Sequence, residues 1–136
     1  MIVRTVKVNR NQSPQQMLDA TGRKQYTNKS VVAGIPKGKG AKKQVYFFKV
    51  SRYITEEELE KEYKLRGLEP DVYAQAKANQ DDPAFADTHP NCTHWKDENG
   101  NWNFSAFDRN SDERDVLVIC YDNVWDDNWW FGGVRE

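Results

Sequence analysis

Thr93-His-Trp-Lys-Asp97, Glu98-Asn-Gly-Asn101 and Trp102-Asn-Phe-Ser-Ala-Phe107 decide the fold class. Asn99-Gly100 is the strongest short-range turn signal in the chain, because tight hairpin turns favour residues that tolerate positive φ. The flanking runs are rich in aromatic residues, so the segment is expected to form a β-hairpin. Downstream, a polar connection from Asp108 to Arg114 leads into Asp115–Tyr121, whose apolar run Val116-Leu-Val-Ile-Cys120 reads as a strand central in a sheet. A loop at Asp122–Asn128 then precedes a last strand, Trp129–Val134. These segments predict a C-terminal four-strand meander.

Upstream, Ile2–Asn9 alternates apolar and polar residues and is expected to be a strand. Ser13-Pro14 with Gln16 is a helix start, and Gly22 is its stop. Residues 30–35 and 44–50 read as two strands joined by a mobile hairpin tip, Pro36–Lys43. Thr55-Glu-Glu-Glu58 is a capping box opening a helix that ends at Gly67, and Glu69-Pro-Asp71 opens another to about Gln80. Phe85, in the turn Asp81–Asp87, is expected to anchor in the core. The whole chain, residues 1–136, is thus expected to be one α+β domain. Its sheet is mixed and mainly antiparallel, with two to three helices and the C-terminal meander. Pairing of the first and last strands would close the sheet.

The 136 residues suffice for one core, and six Phe, six Tyr and five Trp argue against disorder. No apolar run approaches the roughly 20 residues that cross a bilayer, and the N-terminus lacks a signal-peptide core, so a cytoplasmic protein is expected. Two cysteines, Cys92 and Cys120, are too few for a disulfide framework and are expected to be reduced thiols. Cys120, inside its apolar run, is expected to behave as a small hydrophobe.

The net charge of −1 hides an asymmetry. Residues 1–54 carry twelve Lys/Arg and one acid, a balance of +11; residues 55–136 carry eight against twenty, a balance of −12. Either the molecule is dipolar, with a basic contact face, or the halves interdigitate and their fields cancel.

Several groupings of chemically capable residues stand out. Asp87, His89, Cys92 and His94 are ligand types that zinc accepts, although their spacing matches no established zinc pattern. A nucleophilic Cys92 with His89 or His94 would have to be assembled by the fold. Asp122, Asn123, Asp126, Asp127 and Asn128 offer oxygen ligands to calcium, or simply make Asx turns. The lysine-rich segment 36–43 lacks the P-loop spacing. No serine-hydrolase, zinc-protease or dinucleotide-binding motif occurs, so no catalytic residues and no cofactor are assigned.

The stretches Arg4-Thr-Val-Lys-Val-Asn-Arg-Asn11, Asp82-Pro-Ala-Phe-Ala-Asp87, Thr93-His-Trp-Lys-Asp97 and Trp125-Asp-Asp-Asn-Trp-Trp-Phe-Gly-Gly-Val-Arg135 resemble a family of small bacterial and phage proteins with no established activity. The ending, a Trp/Asn-rich loop followed by Phe131-Gly-Gly-Val-Arg135, resembles the C-terminus of C-type-lectin-like domains in the variable proteins of diversity-generating retroelements. That resemblance implies a C-type-lectin-like fold whose exposed Asp, Asn and Tyr residues form a diversified ligand surface. The basic segment 36–43 and the acidic second helix depart from its pattern.

The functional expectation is a non-enzymatic binding module that presents its C-terminal loops to a protein or other ligand. Its binding residues would be Asp108, Asn110, Asp112, Tyr121, Asp122, Asn123, Trp125, Asp126 and Asn128, since rings on loops give rigid area and short polar groups give adaptable hydrogen bonds. One alternative is a nucleic-acid-associated or inhibitory protein of a phage or mobile element, using Arg23, Lys24, Lys37, Lys39, Lys42 and Lys43. A second is a metal-dependent hydrolase at Asp87, His89, Cys92 and His94.

Overall fold

The computed structural model describes residues 1–136. In chain order the elements are β1 (Ile2–Lys7), α1 (Pro14–Asp19), β2 (Lys24–Thr27), α2 (Lys29–Ala33), β3 (Lys42–Lys49), β4 (Ile54–Thr55), α3 (Glu56–Leu65) and β5 (Leu68–Glu69). There follow α4 (Val72–Asp81), α5 (Phe85–Thr88), β6 (Asn91–Lys96), β7 (Trp102–Asn110), β8 (Glu113–Cys120), β9 (Val124–Trp125) and β10 (Trp130–Arg135). The fold is α+β, with a mixed and mostly antiparallel sheet, and no helix is long and apolar enough to cross a membrane.

All three expected helix starts are made by the residues that announced them, with Asp71 Oδ1 accepting from Ala74 N at α4. The Ser13 hydroxyl accepts from Gln16 N while Gln16 Oε1 accepts from Ser13 N, and Thr55 and Glu58 repeat the arrangement at α3. The expected strand at 30–35 is instead α2, and β2 lies just before it. Asn28 Oδ1 accepts from the backbone of Ser30 and Val31, nucleating a helical turn that carries Val32 and Ile35 into the core. Segment 36–43 is therefore no hairpin tip but a connection from α2 into β3. Arg10 holds it, donating to the carbonyls of Lys37, Lys39 and Gly40 while clamping Asp71 through both terminal nitrogens.

The main sheet runs β1-β3-β10-β6-β7-β8-β2, with β5 beside the end of β10. β6, β7 and β8 form the expected meander, but its fourth strand does not follow β8. β10 instead lies between β3 and β6, antiparallel to the first and parallel to the second. β2 takes the free edge of β8 in parallel. The first and last strands are thus separated by β3 rather than paired. The expected 108–114 connection shrinks to a tight turn, because β7 continues to Asn110 and β8 begins at Glu113, with Ser111 at φ +53°.

Each face of the sheet has its own core. On one, α4 packs across β1, β3, β6 and β10, with α1, α2 and α5 beside it, over Val6, Phe47, Tyr73, Phe107 and Val116. Phe85 is buried there, as its position in the sequence suggested. On the other, α3 and the β4–β9 ribbon cover Phe48, Phe104, Cys92 and Phe131. Adjacent residues divide between the two cores, as strand geometry requires: Phe47 faces α4 and Phe48 faces α3. Burial on both faces leaves all of Trp102–Phe107 buried. Gly132 and Gly133 let rings approach β10 closely, since a Cβ on either would lie 2.8 Å from the ring of Phe47 or Tyr63.

A buried polar network fixes α4 to the sheet. Gln75 Nε2 donates to the carbonyls of Asn91 and Ser105 and to Asn91 Oδ1, and the Ser105 hydroxyl donates back to Gln75 Oε1. Asn79 and Asn91 exchange side-chain hydrogen bonds. All four residues are buried and paired, an arrangement that rigidifies one docking geometry.

Candidate binding groove

The cover over the α3 face ends at Trp125 and Trp129. Beyond them lies a groove of about 710 Å³ over β7, β8 and β2. Strand register sets its lining: Phe104 faces Ile119, Ala106 faces Leu117, Asp108 faces Asp115 and Asn110 faces Glu113. Side chains of directly paired residues share a face, so the floor passes from apolar to acidic toward the β7–β8 turn. Tyr26 and Tyr121, both exposed, contribute rings at the sides, and Asn123 sits beside Trp125 in the lining.

Trp125 is only 2% exposed and belongs to the core, so the expectation of an exposed loop residue is corrected. Its ring packs edge-on against Phe104 and Trp129, at centroid distances of 4.8 and 4.9 Å. Its Nε1 donates to Glu56 Oε1 at 2.6 Å. Glu56, the first residue of α3, is fully buried where the helix dipole favours a carboxylate. His94 Nδ1 lies 3.4 Å from the same oxygen, and the imidazole is stacked between Trp102 and Tyr63. Glu56 Oε2 and His94 Nε2 have no partner. This strut joins α3, β6 and β9 behind one wall of the groove.

The acidic end has its own electrostatics. Asp115 Oδ2 accepts from Asn110 Nδ2, Glu113 Oε2 accepts from the Tyr26 hydroxyl, and Asp108 Oδ1 accepts from Arg109 N. Burial, reinforced by the Asp115 and Asp126 charges, pushes the Asp108 carboxyl above the usual carboxylate range. Glu113 in turn pushes the Tyr26 hydroxyl up, by accepting its hydrogen bond.

Five of the nine residues expected to bind ligand line this groove: Asp108, Asn110, Tyr121, Asn123 and Trp125. Asp112, Asp122, Asp126 and Asn128 do not line it. Asp126 Oδ1 accepts from Asn128 N, the Asx turn that the bland reading of this loop anticipates. Sequence reasoning missed Tyr26, Phe104, Ala106, Glu113, Asp115, Leu117, Ile119 and Trp129. The alternation at 104/106 and 117/119 was visible, but both-face burial hid which face would be bare.

The Asp87–His94 set does not converge. Asp87 accepts from Arg109 and Arg114, which holds its carboxyl below the usual range, chiefly through Arg114. His89 stacks on Phe85, while Cys92 and His94 lie in β6 rather than in an exposed loop. No three acidic, His or Cys side chains in the molecule form a metal-sized group, the 122–128 loop included. Burial pushes the Cys92 thiol well up, the reverse of what a nucleophile needs. Cys120, expected to behave as a small hydrophobe within its apolar run, is exposed at the end of β8.

The basic set also divides. Arg23 is buried, donating to the carbonyls of Pro83, Asp108 and Asp115 and lying over the Phe107 ring. Desolvation lowers its pKa, a mark of a structural bolt rather than a phosphate contact. Lys37 Nζ donates to the carbonyls of Arg10 and Gln12, and Lys24 is on β2, across the sheet from Lys42 and Lys43 on β3. Lys42 and Lys43 instead join Arg135, Thr5 and Tyr46 around a depression of about 430 Å³ at the β1–β3 end.

Compared with known proteins, the chain matches no family model, no curated protein and no solved structure.

Proposed function

We propose that the protein is a non-enzymatic binding module that takes a ligand in the groove over β7, β8 and β2. The observation that carries this reading is an aromatic-sided groove whose apolar floor leaves Leu117 and Ile119 partly exposed where the rest of the same face is covered. Its volume of about 710 Å³ falls in the range of sites that hold small molecules or the side chains of a peptide. Aromatic rings with a few placed polar groups are also the composition of recognition surfaces. The resemblance of the C-terminus to C-type-lectin-like variable proteins points the same way.

A neutral solvatochromic dye, Nile red, tests the groove. One saturable equivalent should bind, with energy transfer from the groove tryptophans. Leu117→Asp should remove it without a large loss of stability, because Leu117 is only partly buried. Dye binding that survives Leu117→Asp unchanged would overturn the reading.

A second reading, a small nucleic-acid-associated protein, rests on the Lys42–Lys43–Arg135 depression. It predicts oligonucleotide affinity that falls steeply with salt and weakens in Lys42→Ala/Lys43→Ala. No binding at low salt removes it.

A further inference from the structure

We propose that the groove selects small organic cations, seating an apolar body on Leu117 and Ile119 and an ammonium group between Asp108, Asp115 and Glu113. The inference rests on the groove being a binding site and adds the charge and class of its ligand. The argument is complementarity. Asp108 and Asp115 are direct cross-strand partners, an arrangement that costs stability unless a positive charge relieves it. None of the nine ion pairs in the molecule involves Asp108, Glu113 or Asp115. The nearest cations leave the acids without an ion pair: the Arg23 guanidinium, whose charge offsets that of Asp108 only in part, donates to carbonyl groups, and Lys24, opposite Asp115 on β2, forms no ion pair.

Asp115 is 6% exposed, so its charge acts with little solvent screening. The carboxylates do not converge tightly enough for a metal ion. An ammonium on a carbon body needs no such convergence, and the Tyr26 ring, whose hydroxyl donates to Glu113, lines the groove at this end and can add cation–π attraction. Thirteen lining residues around this volume suit a single small molecule rather than a folded partner.

Three probes that share one ring system separate the possibilities: naphthylmethyl-trimethylammonium, naphthylmethanol and naphthylacetate, each titrated by calorimetry and tryptophan emission. The ammonium compound should bind at least about tenfold more tightly than the alcohol, and the acetate weakest. Asp108→Asn/Asp115→Asn should erase the ammonium preference while leaving the alcohol unchanged, whereas Leu117→Asp should weaken both. Equal binding of ammonium and alcohol would overturn the cation assignment and leave the groove standing. Failure of all three probes, together with Nile red, would remove the groove itself. Tighter binding of a Leu-Lys dipeptide amide than of the ammonium compound would overturn the small-molecule assignment in favour of a peptide.

Discussion

At Trp125 one indole serves two structures at once. One side of the ring meets Phe104 and Trp129 at the groove, while Nε1 donates to a carboxylate that is fully buried. Glu56 Oε2 already lacks a partner, so Trp125→Phe would leave the buried carboxyl group with only the 3.4 Å contact from His94 Nδ1 to Oε1. The variant should lose about 2 kcal/mol in urea unfolding, and Trp125→Phe/Glu56→Leu should recover part of it, because an unsatisfied buried polar group costs more than its removal. Additive losses in the double variant would show that the bond does not couple them. Asp108 behaves in the opposite sense. Its folded pKa is raised, so the folded state holds that proton more tightly than the unfolded chain. Its ionisation therefore costs stability, with the penalty appearing above the unfolded pKa and complete above the folded one. Asp108→Asn should raise stability at neutral pH by a few tenths of a kcal/mol, and the gain should vanish in acid. A residue that ligand binding needs and folding does not would show this signature in thermal melts.

At the scale of elements, legibility followed how local the determining interaction is. The capping boxes at Ser13 and Thr55 and the Asp71 cap of α4 act within four residues, and all three helix starts were readable. The β6–β7 hairpin was readable for the same reason, with Gly100 at φ +81° and Asp97 accepting from Asn99 and Asn101. α2 was not, because Ser30-Val31-Val32 has strand propensity, and only the Asn28 cap with burial of Val32 and Ile35 outweighs it. The insertion of β10 between β3 and β6 was also hidden, since a parallel partner from far along the chain leaves no local mark. Gly132-Gly133 is its trace: two residues without Cβ where rings must close over the strand. Gly133→Ala would place a Cβ 2.8 Å from the Tyr63 ring and 3.1 Å from the Glu69 carbonyl oxygen. That crowding should cost about 1–3 kcal/mol in chemical denaturation, with loss of the Tyr63 hydroxyl bond to Gly132 O. A variant as stable as the parent would mean that α3 can shift away from β10.

For the whole molecule, the opposed charges of the two chain halves meet in a mixed arrangement. β1 and β3 carry basic residues to one end of the sheet, yet β2, from the same half, lies against β8 beside the groove acids. The fields therefore cancel in part, and acid response depends on individual carboxylates. Asp19, Glu57, Glu58, Asp87 and Asp97 are all held below their ordinary range, and Asp108 is the one carboxylate clearly raised. A depressed folded pKa contributes stability that is present above the unfolded value and is lost as pH falls through the folded value. Five such groups against one opposing group predict a loss of stability that begins as pH drops into the ordinary carboxylate range and that solvent screening at these positions keeps small. Asp87 matters most for integrity, because its bonds to Arg109 and Arg114 tie α5 to the β7–β8 pair, and Phe85 enters the core from the same helix. Asp87→Asn should lower the melting temperature at neutral pH and flatten the acid limb of the stability profile, whereas Asp19→Asn, at an exposed helix end, should do little of either. If Asp87→Asn leaves the acid limb unchanged, the tie between α5 and the hairpin does not contribute to folding.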